Sequence, residues 1–81
     1  MKRYIATFYS HFGAIRFERE LRAKGSRGTI MPVPRNLSSS CGTCVEFASE
    51  SEDFHDPHGE IEQIVRVSDN GYECVYRAED S

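Results

Sequence analysis

The chain has 81 residues, a length that leaves room for one core about two layers thick. Folding a domain of this size buries about 60 to 65% of the surface that the unfolded chain exposes, so a deep, enclosed active site is not expected. The hydrophobic content of 38% and the charged content of 28% are those of a globular protein. We therefore predict a single domain over residues 1–81.

Charge and hydropathy argue against two classes of partner. The formal net charge is -3, and ten Lys and Arg residues are interleaved with thirteen Asp and Glu, so no basic field is expected to hold nucleic acid. No segment has the roughly 20 apolar residues that cross a bilayer, and the N-terminal MKRYIATFY lacks the apolar run of a secretory signal. The sequence predicts a cytoplasmic protein that binds neither nucleic acid nor membrane.

The first third of the chain carries a strand signal and then a helix signal. RYIATFY, residues 3–9, is dense in β-branched and aromatic side chains and predicts a strand. Ser10 is a candidate N-cap, and Gly25 is placed to end a helix. The helix is predicted from His11 to Lys24 because apolar residues recur at helical spacing, namely Ala14, Phe17 and Leu21.

Two further strands and a second helix are predicted after it. Thr29–Val33 and Cys44–Ala48 read as strands, the former at a sheet edge because Pro32 and Pro34 remove two ladder donors. Residues 49–56 form an acidic loop. The second helix is predicted from an N-cap signal, Asp56-Pro57, and an apolar stripe, Ile61, Ile64 and Val65. Tyr72–Arg77 predicts a last strand, and residues 78–81 a frayed tail.

The order β-α-β-β-α-β matches the ferredoxin-like split β-α-β arrangement, an α+β fold with an antiparallel sheet and both helices on one face. In that fold strand 3 lies between strands 1 and 2 and runs antiparallel to both. The beginning of strand 3 then lies at the same end of the sheet as the end of strand 1. We therefore expect Cys41 near Ser10, His11 and Gly13.

The connection PVPRNLSSSCGTC, residues 32–44, carries the candidate chemistry. A helix N-terminus favours a thiolate over a thiol, and serine hydroxyl and amide groups suit an anionic sulfur. A glycine after the cysteine lets another molecule approach closely. The candidate residues are Cys41 and Cys44 for chemistry, and His11, Arg35, Ser38, Ser39, Ser40 and Gly42 for binding. The alternative is a polar connection that happens to hold a cysteine.

Three segments, YIATFYSHFGAIRFERELRAKG, MPVPR and SSSCG, resemble the small bacterial proteins grouped as Putative Se/S carrier protein-like. The similarity covers about residues 4–47. The matching loop residues are Pro32, Pro34, Arg35, Ser39, Ser40, Cys41 and Gly42, and the matching helix residues are Ala14, Glu18, Leu21 and Gly25. The sequence departs from the family pattern at Cys44 and in the acidic insertion SESEDFHDPHG.

The resemblance implies a carrier rather than an enzyme, with no cofactor. Cys41 would hold sulfur or selenium as a persulfide or selenopersulfide, taken from a donor such as a cysteine desulfurase and delivered to an acceptor enzyme. Such a cysteine has to be exposed on a small domain that docks into two partners. We expect a monomer or a weak dimer.

Three other hypotheses stay open on the residues alone. Cys41 and Cys44 form a C-x-x-C, a spacing used by dithiol redox proteins, although here a strand follows it. A zinc site would use Cys41, Cys44, His55 and His58, but the two later separations miss the usual ones, and we expect no metal. The third hypothesis is an interaction domain in which the cysteines have no chemical role.

Overall fold

The computed structural model of the protein describes residues 1–78. Its elements follow one another as β1 (Lys2–Phe8), α1 (His11–Ala23), β2 (Gly28–Pro32), β3 (Thr43–Ser49), β4 (Ile61–Ser68) and β5 (Gly71–Arg77). Most of the predicted frayed tail, residues 79–81, lies outside the described residues. Ala78 is described, and its backbone N–H bonds to the carbonyl of Glu62 at 3.1 Å. Within residues 1–78, no helix has the length and apolar composition that a membrane crossing requires.

The five strands form one antiparallel sheet in the order β2-β3-β1-β4-β5. β3 lies between β2 and β1 and runs opposite to both, as the sequence predicts. β2 is an edge strand, and Pro32 ends it, which agrees with the donors that proline removes. The start of β3 therefore meets the end of β1 at one end of the sheet.

The helix α1 begins and ends where the local signals predict. Ser10 has extended backbone angles, and its side chain accepts a hydrogen bond from the Gly13 amide. Gly25 has a φ of +82°, and its N–H bonds to the carbonyl of Arg22 at 3.0 Å. A left-handed residue just after the last turn is a common helix stop, and glycine adopts it without strain.

The ferredoxin-like prediction is wrong, because the segment predicted as the second helix is strand β4. β4 pairs with β1, and β5, the predicted last strand, pairs with β4 at the outer edge. The molecule therefore has five strands and, within residues 1–78, one helix. The antiparallel sheet, the order of the first three strands, α1 and the last strand stay as predicted, and the second helix does not.

A β-bulge in β4 explains the wrong prediction. Thr7 pairs with Gln63 and Phe8 pairs with Ile61, so one residue, Glu62, is extra on β4. The extra residue interrupts the two-residue alternation of the strand. Ile61 and Ile64 consequently face the same side of the sheet at a spacing of three, which is also the spacing of one helix face.

The sheet buries side chains on both of its faces. One face packs under α1 and carries the larger cluster, with the buried residues Tyr4, Ala6, Phe8, Ala14, Val45, Phe47, Ile61 and Ile64. The opposite face, here called the rear face, carries a smaller cluster of the buried residues Ile5, Cys44 and Val65. Since α1 covers only one face, another part of the chain has to cover the rear face.

The acidic loop, predicted over residues 49–56, spans residues 50–60 between β3 and β4. The second helix was predicted to begin within this loop. Phe54 fixes it to the helix-side cluster, with its ring centroid 5.1 Å from Tyr4 and 5.9 Å from Phe47. The Glu52 carboxylate accepts a 2.9 Å hydrogen bond from the Tyr4 hydroxyl. This bond lowers the pKa of Glu52, and contact with Arg66 adds to the effect. A loop thus takes over part of the covering role of a helix.

Candidate functional site

The connection between β2 and β3 is the loop that carries the candidate residues. It closes at a hydrogen bond from the Val33 amide to the Gly42 carbonyl, 3.1 Å long. A turn follows, in which the Leu37 amide bonds to the Pro34 carbonyl at 3.0 Å. Residues 34–41 therefore form a loop with fixed ends, here called the serine loop.

The serine loop lies over the rear face of the sheet. Leu37 packs against the rear-face cluster, together with Val33. Farther along, the Gln63 side-chain amide donates to the Ser38 carbonyl at 3.4 Å. Gln63 belongs to β4, so the loop reaches from the β2 edge across β3 and β1 to the fourth strand. The loop is part of the hydrophobic core as well as a surface segment.

Glu62 fixes the end of the serine loop next to Cys41. Its carboxylate accepts hydrogen bonds from the Ser40 amide at 3.1 Å and from the Ser40 hydroxyl at 2.6 Å. It also accepts a weaker bond, 3.4 Å, from the hydroxyl of the fully buried Thr7. Charged acceptors make the stronger hydrogen bonds in proteins. Nothing in the sequence marks Glu62 as a site residue, because only the bulge brings its side chain to the serine loop and no motif signals a bulge there.

We expect Glu62→Ala to loosen the serine loop and destabilise the protein. The substitution removes three hydrogen bonds and leaves the Thr7 hydroxyl buried without an acceptor, which costs about 1–3 kcal/mol. Urea unfolding gives the free-energy change, and amide hydrogen exchange shows whether Ser40 N–H loses protection. Glu50→Ala, at an exposed carboxylate, is the control and should change stability by less than about 0.5 kcal/mol. Equal protection of Ser40 in the two variants would contradict the bracing role.

Cys41 lies at the end of the serine loop and is partly exposed. Its thiol packs against the helix-side cluster and donates a 3.4 Å hydrogen bond to the Thr43 carbonyl. The Ser39 hydroxyl oxygen lies 4.0 Å from the sulfur and accepts a 3.4 Å bond from the Cys41 amide. The Ser39 hydroxyl in turn approaches the Phe8 carbonyl at 3.5 Å. The sulfur is therefore held at the surface by a loop tied to the end of β1.

Gly42 follows Cys41 and turns the chain into β3. It has a φ of +75°, a left-handed conformation that other residues adopt with strain. Apart from its two chain neighbours, a Cβ built at this position would meet no atom within 4 Å. Glycine is therefore required here by the backbone conformation and not by crowding.

His11 joins the cysteine segment to the start of α1. Its Nδ1 lies 2.7 Å from the hydroxyl of Thr43, two residues after Cys41. The segment around Cys41 thus contacts His11 through Thr43 and the Phe8 carbonyl through Ser39, and the proximity of Cys41 itself to Ser10 and Gly13 stays a prediction. Arg35 is exposed, and within residues 1–78 its side chain makes no hydrogen bond or ion pair. Its guanidinium is available to an incoming anion.

Cys44 lies on the other side of the sheet from Cys41. It is fully buried in the rear-face cluster, and its thiol donates to the Pro32 carbonyl at 3.7 Å. Burial raises the pKa of the Cys44 thiol to about 11, and the charges of Glu46 and Cys41 act in the same direction. Both thiols are free. The two cysteines therefore pack on opposite faces of the sheet, Cys44 within β3 and Cys41 in the loop before it.

The described residues do not assemble the zinc ligand set. His58 Nε2 lies 3.3 Å from a Glu20 carboxylate oxygen, and His55 approaches Asp53 at 3.5 Å in an exposed part of the acidic loop. Across residues 1–78, no group of three or more histidine, cysteine or acidic side chains is placed to hold a metal ion. His55 and His58 are thus paired with carboxylates and form no metal-binding group with Cys41 and Cys44.

Comparison with known families bears on this cysteine loop. The model of the family described as Putative Se/S carrier protein-like matches residues 3–76, which include α1, the serine loop and all of the five strands except Lys2 of β1 and Arg77 of β5. The chain belongs to this family. The match extends well past the segment in which the sequence motifs resemble the family, so β4 and β5 are part of the family's fold. No curated protein and no solved structure matches the chain.

Because the chain belongs to this family, the question is which of its three cysteines is suited to hold sulfur or selenium. Of the three cysteines, Cys44 is buried under the serine loop, and Cys74 lies on the edge strand β5. Cys74 is more exposed than Cys41, whereas Cys41 has a serine hydroxyl 4.0 Å from its sulfur and lies in the SSSCG motif. A sulfur or selenium carrier needs a cysteine that a second protein can reach.

Proposed function

We propose that the protein carries sulfur or selenium on Cys41 and passes it from a donor enzyme to an acceptor enzyme. The observation that carries the proposal is the partly exposed Cys41, whose sulfur lies 4.0 Å from the Ser39 hydroxyl, in a chain that belongs to the family described as Putative Se/S carrier protein-like. A surface cysteine of this kind meets the active-site groups of another protein without a pocket of its own. The proposed setting is the reducing cytoplasm, where a thiol persists.

The proposed loading step is a thiol–persulfide exchange. The Cys41 thiolate attacks the outer sulfur of a donor persulfide, R–S–S–H. A new S–S bond forms to Cys41, the S–S bond of the donor breaks, and the donor leaves as the thiolate R–S⁻. Cys41 then carries –S–S–H, and neither side has gained or lost electrons overall. A selenium atom in the outer position would transfer by the same exchange.

Delivery repeats the exchange in the other direction. A nucleophile of the acceptor attacks the outer atom on Cys41, and Cys41 leaves as a thiolate. The Ser39 hydroxyl, next to the sulfur, and the free Arg35 guanidinium are the groups proposed to stabilise the negative charge that appears on sulfur in both steps. His11, which contacts the Thr43 hydroxyl, is proposed to take up the proton of the Cys41 thiol and to return it after delivery.

The proposal assigns the chemistry to Cys41 without help from Cys44. A resolving cysteine has to reach the Cys41 sulfur as a thiolate. Cys44 is fully buried on the opposite face of the sheet, and its pKa of about 11 keeps it protonated at neutral pH. The dithiol redox hypothesis requires the sulfurs of Cys41 and Cys44 to meet. One experiment tests both the carrier hypothesis and the redox hypothesis.

Intact-protein mass spectrometry under non-reducing conditions tests the proposal. The protein is incubated with a cysteine desulfurase and cysteine, beside the variants Cys41→Ser and Cys44→Ser. We expect wild type and Cys44→Ser to gain the mass of one sulfur atom and Cys41→Ser to gain none. A loss of two hydrogens without added sulfur would establish a redox pair instead. Added sulfur that persists in Cys41→Ser would place the carrier site on another residue.

A further inference from the structure

The solvent side of α1 carries large apolar side chains at the end nearest Cys41. Phe12 is 75% exposed and Ile15 is 42% exposed, although both side chains are strongly apolar. The spacing 12, 15, 19, 22 places Phe12, Ile15, Arg19 and Arg22 along one face of the helix, opposite the buried Ala14. We call these four residues the outer stripe. Within residues 1–78, no other part of the chain covers Phe12.

The second half of the outer stripe is cationic. Arg19 is exposed and, within the described part of the chain, makes no hydrogen bond or ion pair. Arg22 bonds to Glu18 at 2.8 Å but is still 68% exposed. The protein as a whole carries a formal net charge of -3, so an unpaired arginine beside an apolar pair is a local reversal of sign. Such a face complements a surface with an apolar centre and acidic residues at its rim.

The outer stripe is continuous with the cysteine site. Phe12 follows His11, which contacts Thr43, whose carbonyl accepts the hydrogen bond from the Cys41 thiol. Two hydrogen-bond contacts and one peptide bond therefore link the Cys41 thiol to the residue that carries the exposed aromatic ring. The outer stripe thus begins beside the segment that carries Cys41.

We infer that the outer stripe is the surface on which the sulfur-donating enzyme docks, through an apolar hollow that receives Phe12 and Ile15 and a cluster of carboxylates that receives Arg19. The inference rests on the proposed carrier function. It adds which surface of this protein docks and what charge the matching surface of the partner carries. Phe12 supplies the buried contact area, since aromatic side chains dominate interface energies. Arg19 supplies orientation and speeds association.

Loading kinetics test this docking surface. The probe is the desulfurase that loads wild type in the mass-spectrometry experiment above, and the rate of persulfide formation is measured at limiting carrier concentration. We expect Phe12→Ser and Arg19→Glu each to lower kcat/KM for the carrier about ten-fold or more. Raising NaCl from about 50 to about 500 mM should slow loading of wild type and Phe12→Ser. It should speed loading of Arg19→Glu, because salt screens the repulsion between the introduced carboxylate and the carboxylates of the partner.

Two controls separate docking from chemistry. Sodium polysulfide loads the thiol without a protein partner, so wild type, Phe12→Ser and Arg19→Glu should react with it at equal rates. Arg27→Glu makes the same charge change at an exposed arginine beyond the far end of α1, and it should be loaded by the desulfurase within about two-fold of wild type.

Three results would overturn the inference. Loading of Phe12→Ser and Arg19→Glu at the wild-type rate would remove the docking surface and leave the carrier function intact. An equal slowing of the polysulfide reaction would assign the defect to Cys41 itself. A wild-type dimer that Phe12→Ser dissociates in sedimentation would show that a second copy covers the stripe. Failure of wild type to load at all is a failure of the proposed function, which the docking surface requires.

Discussion

The Cys44 thiol should react with a disulfide reagent such as DTNB roughly 200-fold more slowly at pH 8 than a free cysteine does. An ordinary cysteine has a pKa near 8.5, so about a quarter of it is thiolate at that pH, whereas a pKa of about 11 leaves about a thousandth. Complete burial of the side chain under the serine loop slows the reaction further. The modification of Cys44 should therefore follow opening of the fold.

The measurement uses two matched proteins. In one, Cys41 and Cys74 are replaced by serine, so that the only thiol is Cys44. In the other, Cys41→Ser is combined with Cys44→Ala, and the exposed Cys74 reports the ordinary rate. Reaction of Cys44 as fast as Cys74, or a disulfide between Cys41 and Cys44 in wild type after mild oxidation, would contradict the buried, protonated state and favour the redox hypothesis.

The same pKa determines the sign of a pH effect on stability. The pKa of Cys44 is higher in the folded than in the unfolded protein, so between about pH 8.5 and 11 the folded state keeps a proton that the unfolded state has lost. The free energy of unfolding should fall as the pH rises through this window. Cys44→Ala lacks this contribution, and urea unfolding should show a weaker decline for it than for wild type over the same range.

Phe47→Ala should be the most destabilising of the simple core substitutions, with a loss of about 3–5 kcal/mol. The Phe47 ring lies 5.6 Å from Tyr4, 5.2 Å from Phe17 and 5.9 Å from Phe54, measured between ring centroids. It therefore joins the sheet to both α1 and the acidic loop. A domain of this size has a total stability of about 4–12 kcal/mol, so the variant should lose about a quarter or more of it and unfold at a clearly lower urea concentration than wild type.

The matched control is Phe12→Ala, the same chemical change at a ring that is 75% exposed. We expect its urea midpoint to stay close to wild type, within about 0.5 kcal/mol in stability. Similar losses in the two variants would mean that Phe12 is packed in solution. The control also bears on docking, because it shows that the outer stripe can be changed without unfolding the carrier.

Local chemistry predicts the parts of the fold that depend on a few neighbouring residues. The start of α1 follows from the Ser10 cap, its end from Gly25, and the end of β2 from Pro32. The sequence likewise predicts a loop around Cys41, because proline, glycine and serine are the residues of turns and loops. These features need no knowledge of the distant chain.

The second half of the fold depends on pairings that the sequence does not display. Asp56-Pro57 has the residues of a helix start, and Asp56 does bind backbone N–H groups ahead of it. Its carboxylate accepts from Glu60 and Ile61 at 3.0 Å each, which closes a turn into β4. The same capping chemistry serves a turn and a helix, and only pairing of the following segment with β1 decides between them.

The candidate site shows the same division. Cys41 and its serines are visible in the sequence, whereas Glu62 and the rear-face anchor Leu37 are not. Both depend on which strands become neighbours. The alternation of the strand already predicts that Cys44 and Val45 face opposite sides of the sheet. The position of Cys41 depends on the turn at Gly42, before the strand begins.

The position of the serine loop has a consequence for how a carrier of this shape delivers its cargo. Leu37 lies in the rear-face cluster, and Ser40 is fixed to β4, so the loop cannot swing outward without exposing part of the core to water. Cys41 is therefore a stationary attachment point rather than the tip of a flexible arm. Under the proposed function, each partner has to bring its own reacting atom to Cys41, and the proposed exchange depends on the mobility of the partner.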